Sequence, residues 1–193
     1  MLSSKDSLKI LKETRALLEG HFILSSGLHS EKYIQCAKLL SRPDKANEIC
    51  HSLAKKITDS FKKIDLILSP AIGGIVIGYE IGKILNIETI FAERVNEKFI
   101  LRRGFTIEKK QKILIVEDVI TTGKSSLECS SLAKKFDGDI IGFACIIDRS
   151  NGKSSITKKI VSQIQIDIPT YKKENIPKHL QSITPIKPGS RNL

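Results

Sequence analysis

Residues 113 to 126 constrain this chain more than any other stretch: Ile113-Leu114-Ile115-Val116-Glu117-Asp118-Val119-Ile120-Thr121-Thr122-Gly123-Lys124-Ser125-Ser126. The run from Ile113 to Val116 predicts a buried parallel strand, because it is too short and too β-branched for a helix. Glu117 and Asp118 follow at that strand's carboxyl end. Small hydroxyl residues then surround Gly123, and a helical pattern continues through Leu127, Leu132 and Ala133. Open α/β sheets bind ligands where strands give way to helices, so a functional site is expected here. A Gly/Thr/Ser loop at a helix start offers free N–H groups and the positive end of the helix dipole to a phosphate. Adjacent carboxylates repel that phosphate, but they accept hydrogen bonds from sugar hydroxyls or hold a divalent ion. Together they describe a ribose 5-phosphate.

Gly123-Lys124-Ser125 also matches the end of a P-loop, whose first glycine must stand five positions before the second. That position is Asp118, a carboxylate where phosphate should sit, and the P-loop reading fails.

The 193 residues suffice for one good core with small additions at the ends. No apolar run approaches 18 residues and no signal-peptide pattern opens the chain, so no membrane partner and a cytoplasmic location are expected. Cys36, Cys50, Cys129 and Cys145 form no CxxC pair and read as buried or semi-exposed free thiols. The net charge of +11 permits a nucleic-acid partner. The lysines are dispersed, however, and aromatics are only 5% of the chain, so nucleic acid is not expected.

Along the chain, residues 4 to 19 predict a helix stopped by Gly20, and residues 21 to 35 a hairpin turning at Ser26-Gly27. A helix from Pro43 to about Ser60 leads to a buried strand, Ile64 to Ser69. The turn Pro70-Ala71-Ile72-Gly73-Gly74 then opens a helix through Leu85, and Glu88 to Ala92 forms a third core strand. Residues 93 to 111 lack core periodicity and read as a basic loop. A helix to Phe136, a strand from Asp139 to Ile147, a polar loop over 150–159 and an edge-like strand from Ile160 to Ile168 complete the pattern. This organisation gives residues 1–40 as helix and hairpin, 41–168 as an α/β core with a mainly parallel sheet, and 169–193 as an irregular tail with four prolines, all in one compact domain.

The central stretch resembles the phosphoribosyl-diphosphate (PRPP) signature of type I phosphoribosyltransferases: apolar strand, two acids, apolar pair, then Thr-x-Gly-x-Ser. Four further segments are similar to the orotate phosphoribosyltransferase family. They are the hood segment His21-Phe22 to Tyr33, the diphosphate turn Ser69 to Gly74, the loop Ala92-Glu93-Arg94 through Lys98 to Leu101-Arg102-Arg103-Gly104-Phe105, and the ending Pro169 to Arg191. The resemblance implies a type I phosphoribosyltransferase fold, a mainly parallel sheet flanked by helices under a small hood made by the amino-terminal segment and the tail. It implies Mg²⁺-dependent transfer of the phosphoribosyl group from PRPP to orotate, giving orotidine 5′-monophosphate and diphosphate.

The same resemblance assigns roles. PRPP falls to Gly73, Gly74, Arg94, Lys98, Glu117, Asp118, Val119, Ile120, Thr121, Thr122, Gly123, Lys124 and Ser125; Lys98 acts on the leaving diphosphate. Thr121 and Arg149 fall to orotate, whose carboxylate suits a guanidinium fork. Tyr33 and Phe22 either flank the base or pack in the hairpin, and either Arg102 or Arg103 adds charge. Gly78 and Gly82 read as helix packing, and an ion pair with Asp148 is the plain alternative for Arg149. Mg²⁺ would be held mainly through PRPP, and the chain is expected to be a homodimer whose Lys98 loop serves the partner's site. Gly73, Val95, Ile100 and Ser25 stand where some members carry basic residues, and Lys124 replaces a small one. The competing functions are transfer to another base and a PRPP-sensing nucleic-acid-binding regulator.

Overall fold

The computed structural model describes residues 1–24 and 26–188. The Ser25 position and the Gly189-Ser190-Arg191 part of the ending lie outside the described residues. Six strands form the main sheet: β3 (Leu66–Pro70), β4 (Thr89–Val95), β5 (Lys98–Leu101), β6 (Lys112–Ile120), β7 (Asp139–Asp148) and β8 (Ile160–Gln165). Their order is β5-β4-β3-β6-β7-β8, and all neighbours are parallel except the β4–β5 pair. The central strands are buried on both faces, which explains their near-continuous apolar runs. Along β6, Leu114 and Val116 join one core with α3 (Pro43–Ser60) and α4 (Gly73–Leu85). Ile113 and Ile115 join a second core with α5 (Lys124–Lys134) on the other face.

The chain runs from β3 to β4 on one side, then returns to place β6 on the other. The order therefore reverses between β3 and β6, the position where doubly wound sheets open a ligand crevice. Both glycine-containing turns leave the carboxyl ends of these two strands.

A smaller antiparallel sheet is built from β1 (Leu17–Ile23), β2 (His29–Ile34) and β9 (Thr170–Tyr171). A short helix, α2 (Cys36–Leu40), links it to α3. The tail is more regular than its prolines suggest: it supplies β9, a 3₁₀ turn and α6 (Lys178–Gln181), and Ile186 bridges to Phe22. His21 fastens it further, with Nδ1 2.9 Å from the Ile183 carbonyl and Nε2 2.7 Å from His29 Nδ1.

Other elements depart from expectation for local reasons. Helix α1 (Ser4–Glu13) stops well before Gly20. Arg15 takes a left-handed conformation (φ 56°), its N–H bonds the Lys12 carbonyl, and Ala16 N–H reaches back to Leu11. That is a Schellman ending without glycine, so nothing in the sequence marks it. Leu17 and Leu18 thereby start β1. Residues 93 to 101 form a hairpin with β4 and β5, turned by Asn96 and Glu97, both at positive φ. Phe99 and Ile107 are buried in the second core, so the segment is not the unpatterned loop expected. Strand β6 runs past the acids to Ile120, because β7 keeps pairing with it from Glu117–Cys145 to Ile120–Asp148.

All four cysteines are buried free thiols. Among the described residues no helix is long and apolar enough to cross a membrane. The packing reading of Gly78 and Gly82 holds: a Cβ would lie 2.1 Å from Ser69 Oγ at Gly78, and 2.8 Å from the Ile87 carbonyl at Gly82. Gly82→Ala should therefore push α4 off β4 and cost about 1–3 kcal/mol, lowering Tm by roughly 2–4 °C for each kcal/mol. Thermal denaturation checks this; an unchanged Tm would mean the helix can shift without loss.

Candidate active site

At the switch point the two turns touch. Helix α4 begins at Gly73 with no side-chain cap, directly after β3. A Cβ on Gly73 would stand 2.9 and 3.0 Å from the two Asp118 carboxylate oxygens, and one on Gly74 would stand 3.1 Å from the Val116 carbonyl. Glycine is required for this approach, and it leaves the uncapped first-turn amides of α4 beside the acids. Helix α5 likewise starts without a side-chain cap, after Gly123 in a left-handed conformation (φ 80°). Lys124 N–H donates to Thr122 Oγ1, and the side chain of Ile156 lies over Gly123 where a Cβ would collide. Two uncapped helix starts make two anion positions, with the acids between them.

Glu117 and Asp118 are half-buried. Glu117 Oε2 accepts a hydrogen bond from Ser126 Oγ, and Asp118 Oδ1 accepts one from Val119 N–H at 2.9 Å. Burial pushes the Glu117 carboxyl up to about 7, the Ser126 bond pulls against that rise, and the neighbouring Asp118 charge adds to it. Burial also raises Asp118, against its backbone hydrogen bonds. Two desolvated acids side by side gain most from a ligand that donates hydroxyl hydrogens.

Some of the expected site residues line one of two clefts. Gly73, Arg94 and Asp118 line one of about 950 Å³ with Gln35, Ser41 and Ile72. Lys98, Thr122 and Lys124 line another of about 660 Å³ with Glu128 and Ser155. Arg94 is held on the wall of β4 by Glu128, by the Glu97 carbonyl at 2.7 Å and by the ring of Phe99, whose centroid is 4.1 Å away. Arg102 and Arg103 both pair with Glu93, Arg103 more closely at 2.8 Å. Thr121 is exposed, and Ile120 is buried with its carbonyl accepting Arg149 N–H at 2.8 Å.

That backbone bond places Arg149 beside the Ile120–Thr121 end of β6. Its guanidinium is not paired with Asp148, whose Oδ1 accepts Ser150 N–H instead, and its buried Nε has no partner. Phe22 and Tyr33 pack on each other with ring centroids 5.8 Å apart. Sequence reasoning missed Ser126, Glu93 and Glu128. A hydroxyl at an inward helical position was the only signal for the first, and the glutamates lack any local pattern.

The family model for the phosphoribosyl transferase domain matches residues 40–182. The chain is 44% identical over 193 residues to an orotate phosphoribosyltransferase from Methylorubrum extorquens, covering 100% of this chain and 98% of the relative. It is 44% identical over 189 residues to one from Caldicellulosiruptor bescii, covering 97% and 98%. The crystal structure of orotate phosphoribosyltransferase from Aeropyrum pernix has the same fold, with a TM-score of 0.72 at 20% identity over 82% of this chain and 92% of that one. The chain belongs to the phosphoribosyltransferase family and, within it, to the orotate phosphoribosyltransferases.

The raised acids have a consequence for stability. A carboxyl at about 7 in the fold, against an ordinary 4.5, leaves stability intact below pH 4.5 and removes it as pH rises through 7. Glu117→Gln cannot ionise. Its Tm should match the wild type near pH 4.5 and exceed it at pH 8 by roughly 4–8 °C, taking about 2 kcal/mol after discounting for partial exposure. Thermal melts across that range decide it, and parallel curves would place Glu117 in water.

Proposed function

We propose that this chain transfers the 5-phosphoribosyl group of PRPP to orotate, releasing diphosphate and orotidine 5′-monophosphate in pyrimidine nucleotide synthesis. The observation that carries this reading is the contact of the Gly73 turn with Asp118, which sets amides for one anion beside acids for a sugar. The amides of residues 121–125 would hold the 5-phosphate. Glu117 and Asp118 would accept the ribose hydroxyls, while Gly73, Gly74 and Arg94 would face the diphosphate. Such a site breaks the C1–diphosphate bond by positioning and charge stabilisation, with little covalent chemistry of its own.

Among the described residues no group of three or more His, Cys, Asp or Glu side chains is placed to hold a metal ion. Mg²⁺ would be held mainly through PRPP oxygens, which leaves both acids to the ribose hydroxyls. When bound it neutralises charge on the leaving diphosphate. Arg149, with an unpartnered Nε beside Thr121, suits the orotate carboxylate.

A homodimer accounts for two features. Ile72, Val76 and Tyr79 form an apolar stripe on α4, exposed by 86%, 50% and 64%, beside the diphosphate turn. Lys98 lies in the cleft of Thr122 and Lys124 and not in that of Gly73 and Asp118, so its action on the diphosphate would be made across the dimer.

Orotate consumption with PRPP and Mg²⁺, beside a panel of purine bases, tests the substrate. Turnover of a purine in place of orotate would overturn the assignment. Arg149→Lys should damage orotate binding more than PRPP binding, because an ammonium cannot reproduce the fork; equal losses would make Arg149 structural. Lys98→Ala should lower kcat more than PRPP affinity. Mixed with Asp118→Asn, it should recover activity, since half the exchanged dimers carry one intact site and about a quarter of wild-type activity returns. No recovery after verified subunit exchange would assign Lys98 to its own chain.

A further inference from the structure

Ser126 has no accessible surface, and its hydroxyl hydrogen goes to Glu117 Oε2. A serine inside a helix usually returns that hydrogen to the carbonyl four residues back. Here that carbonyl is Thr122's, which instead accepts Ser155 N–H at 3.2 Å. The Ser126 side chain thus leaves its own helix and crosses to β6. With Oε2 engaged, the second oxygen of Glu117 remains for a ligand.

We propose that Ser126 is the positioning residue of the acid pair, fixing one oxygen of Glu117 so that the other meets a ribose hydroxyl of PRPP. The proposal rests on the reading of Glu117 as a hydroxyl acceptor. A hydrogen bond donated to a carboxylate favours its ionised form, and Ser126 pulls Glu117 down against burial. The other titratable groups facing Glu117 are Asp118 on the same strand, Cys129 on α5 and Cys145 on β7; burial keeps both thiols protonated. Without the hydroxyl, Glu117 would ionise later, and hydroxyl recognition would fail at neutral pH while surviving in alkali.

The test is calorimetric titration of PRPP with Mg²⁺ between pH 6 and 9, on wild type, Ser126→Ala, Glu117→Gln and the double variant. Titration of PRPP's own phosphates is common to all four proteins and cancels in the comparison. Ser126→Ala should move the rise in affinity upward by roughly one pH unit, weakening PRPP about 3- to 10-fold at pH 7 and hardly at all at pH 9. In the Glu117→Gln background the same substitution should change nothing. An unmoved midpoint, or a loss equal at every pH, would overturn the positioning role. A Glu117→Gln protein that binds PRPP like the wild type at every pH would overturn the reading of Glu117, and the proposal with it.

Discussion

The amides of the Gly73 turn and the Asp118 carboxylate occupy adjoining space, so close that any side chain at residue 73 would strike the acid. That closeness depends on β3 and β6 being neighbours in the register Leu66–Ile113, Ile67–Leu114 and Leu68–Ile115. The register is in turn fixed by two cores that take alternate residues of β6, so slipping by one residue would exchange the faces. A buried strand pair therefore sets where the two turns meet. A Cβ at position 73 would meet the Asp118 carboxylate oxygens at 2.9 and 3.0 Å, so a side chain there would require Asp118 to shift. On the proposed reading, charge for the leaving group would come from the hairpin that carries Arg94 and Lys98.

The acids and the arginines of the site take separate partners. The acid pair is desolvated, and burial raises both carboxyls. The arginines that could neutralise it are held elsewhere, Arg94 by Glu128 and Arg102 and Arg103 by Glu93. These pairs are partly exposed, where an ion pair is worth about 0–1 kcal/mol. They can order the hairpin without opposing a multiply charged ligand that draws the arginines away.

What the sequence made legible follows the strength of each local signal. Strands β3, β4, β6 and β7, helices α3 to α5 and both phosphate turns were readable, because buried runs and glycines at strand ends have few alternative explanations. The β4–β5 hairpin was not, since Asn96-Glu97 is a weak turn signal and only Phe99 and Ile107 anchor it. The end of α1 was hidden by an arginine doing what glycine usually does. Within the site, the acids and the Thr121–Ser125 loop stood out by composition. Ser126, Glu93 and Glu128 did not: Ser126 bonds Glu117 across a strand-to-helix turn, Glu93 pairs with arginines across a hairpin and Glu128 with Arg94 from another element, and no local pattern encodes those pairings.

The dispersed positive charge then takes on a more specific meaning. Among the described residues Lys98 and Lys124 make no ion pair, and both line the cleft beside the 5-phosphate loop. On the proposed reading, these two ammonium groups would add to the field that draws in PRPP, whereas the arginines are already paired with glutamates. Unpaired, mobile lysines attract at long range; arginines held in a fork bind at short range once their glutamates are displaced. Lys124, at a place where a small residue is usual, thus needs no contact in the bound state to be useful. On the proposed reading its charge would act on arrival, and the uncapped start of α5 would take the phosphate afterwards.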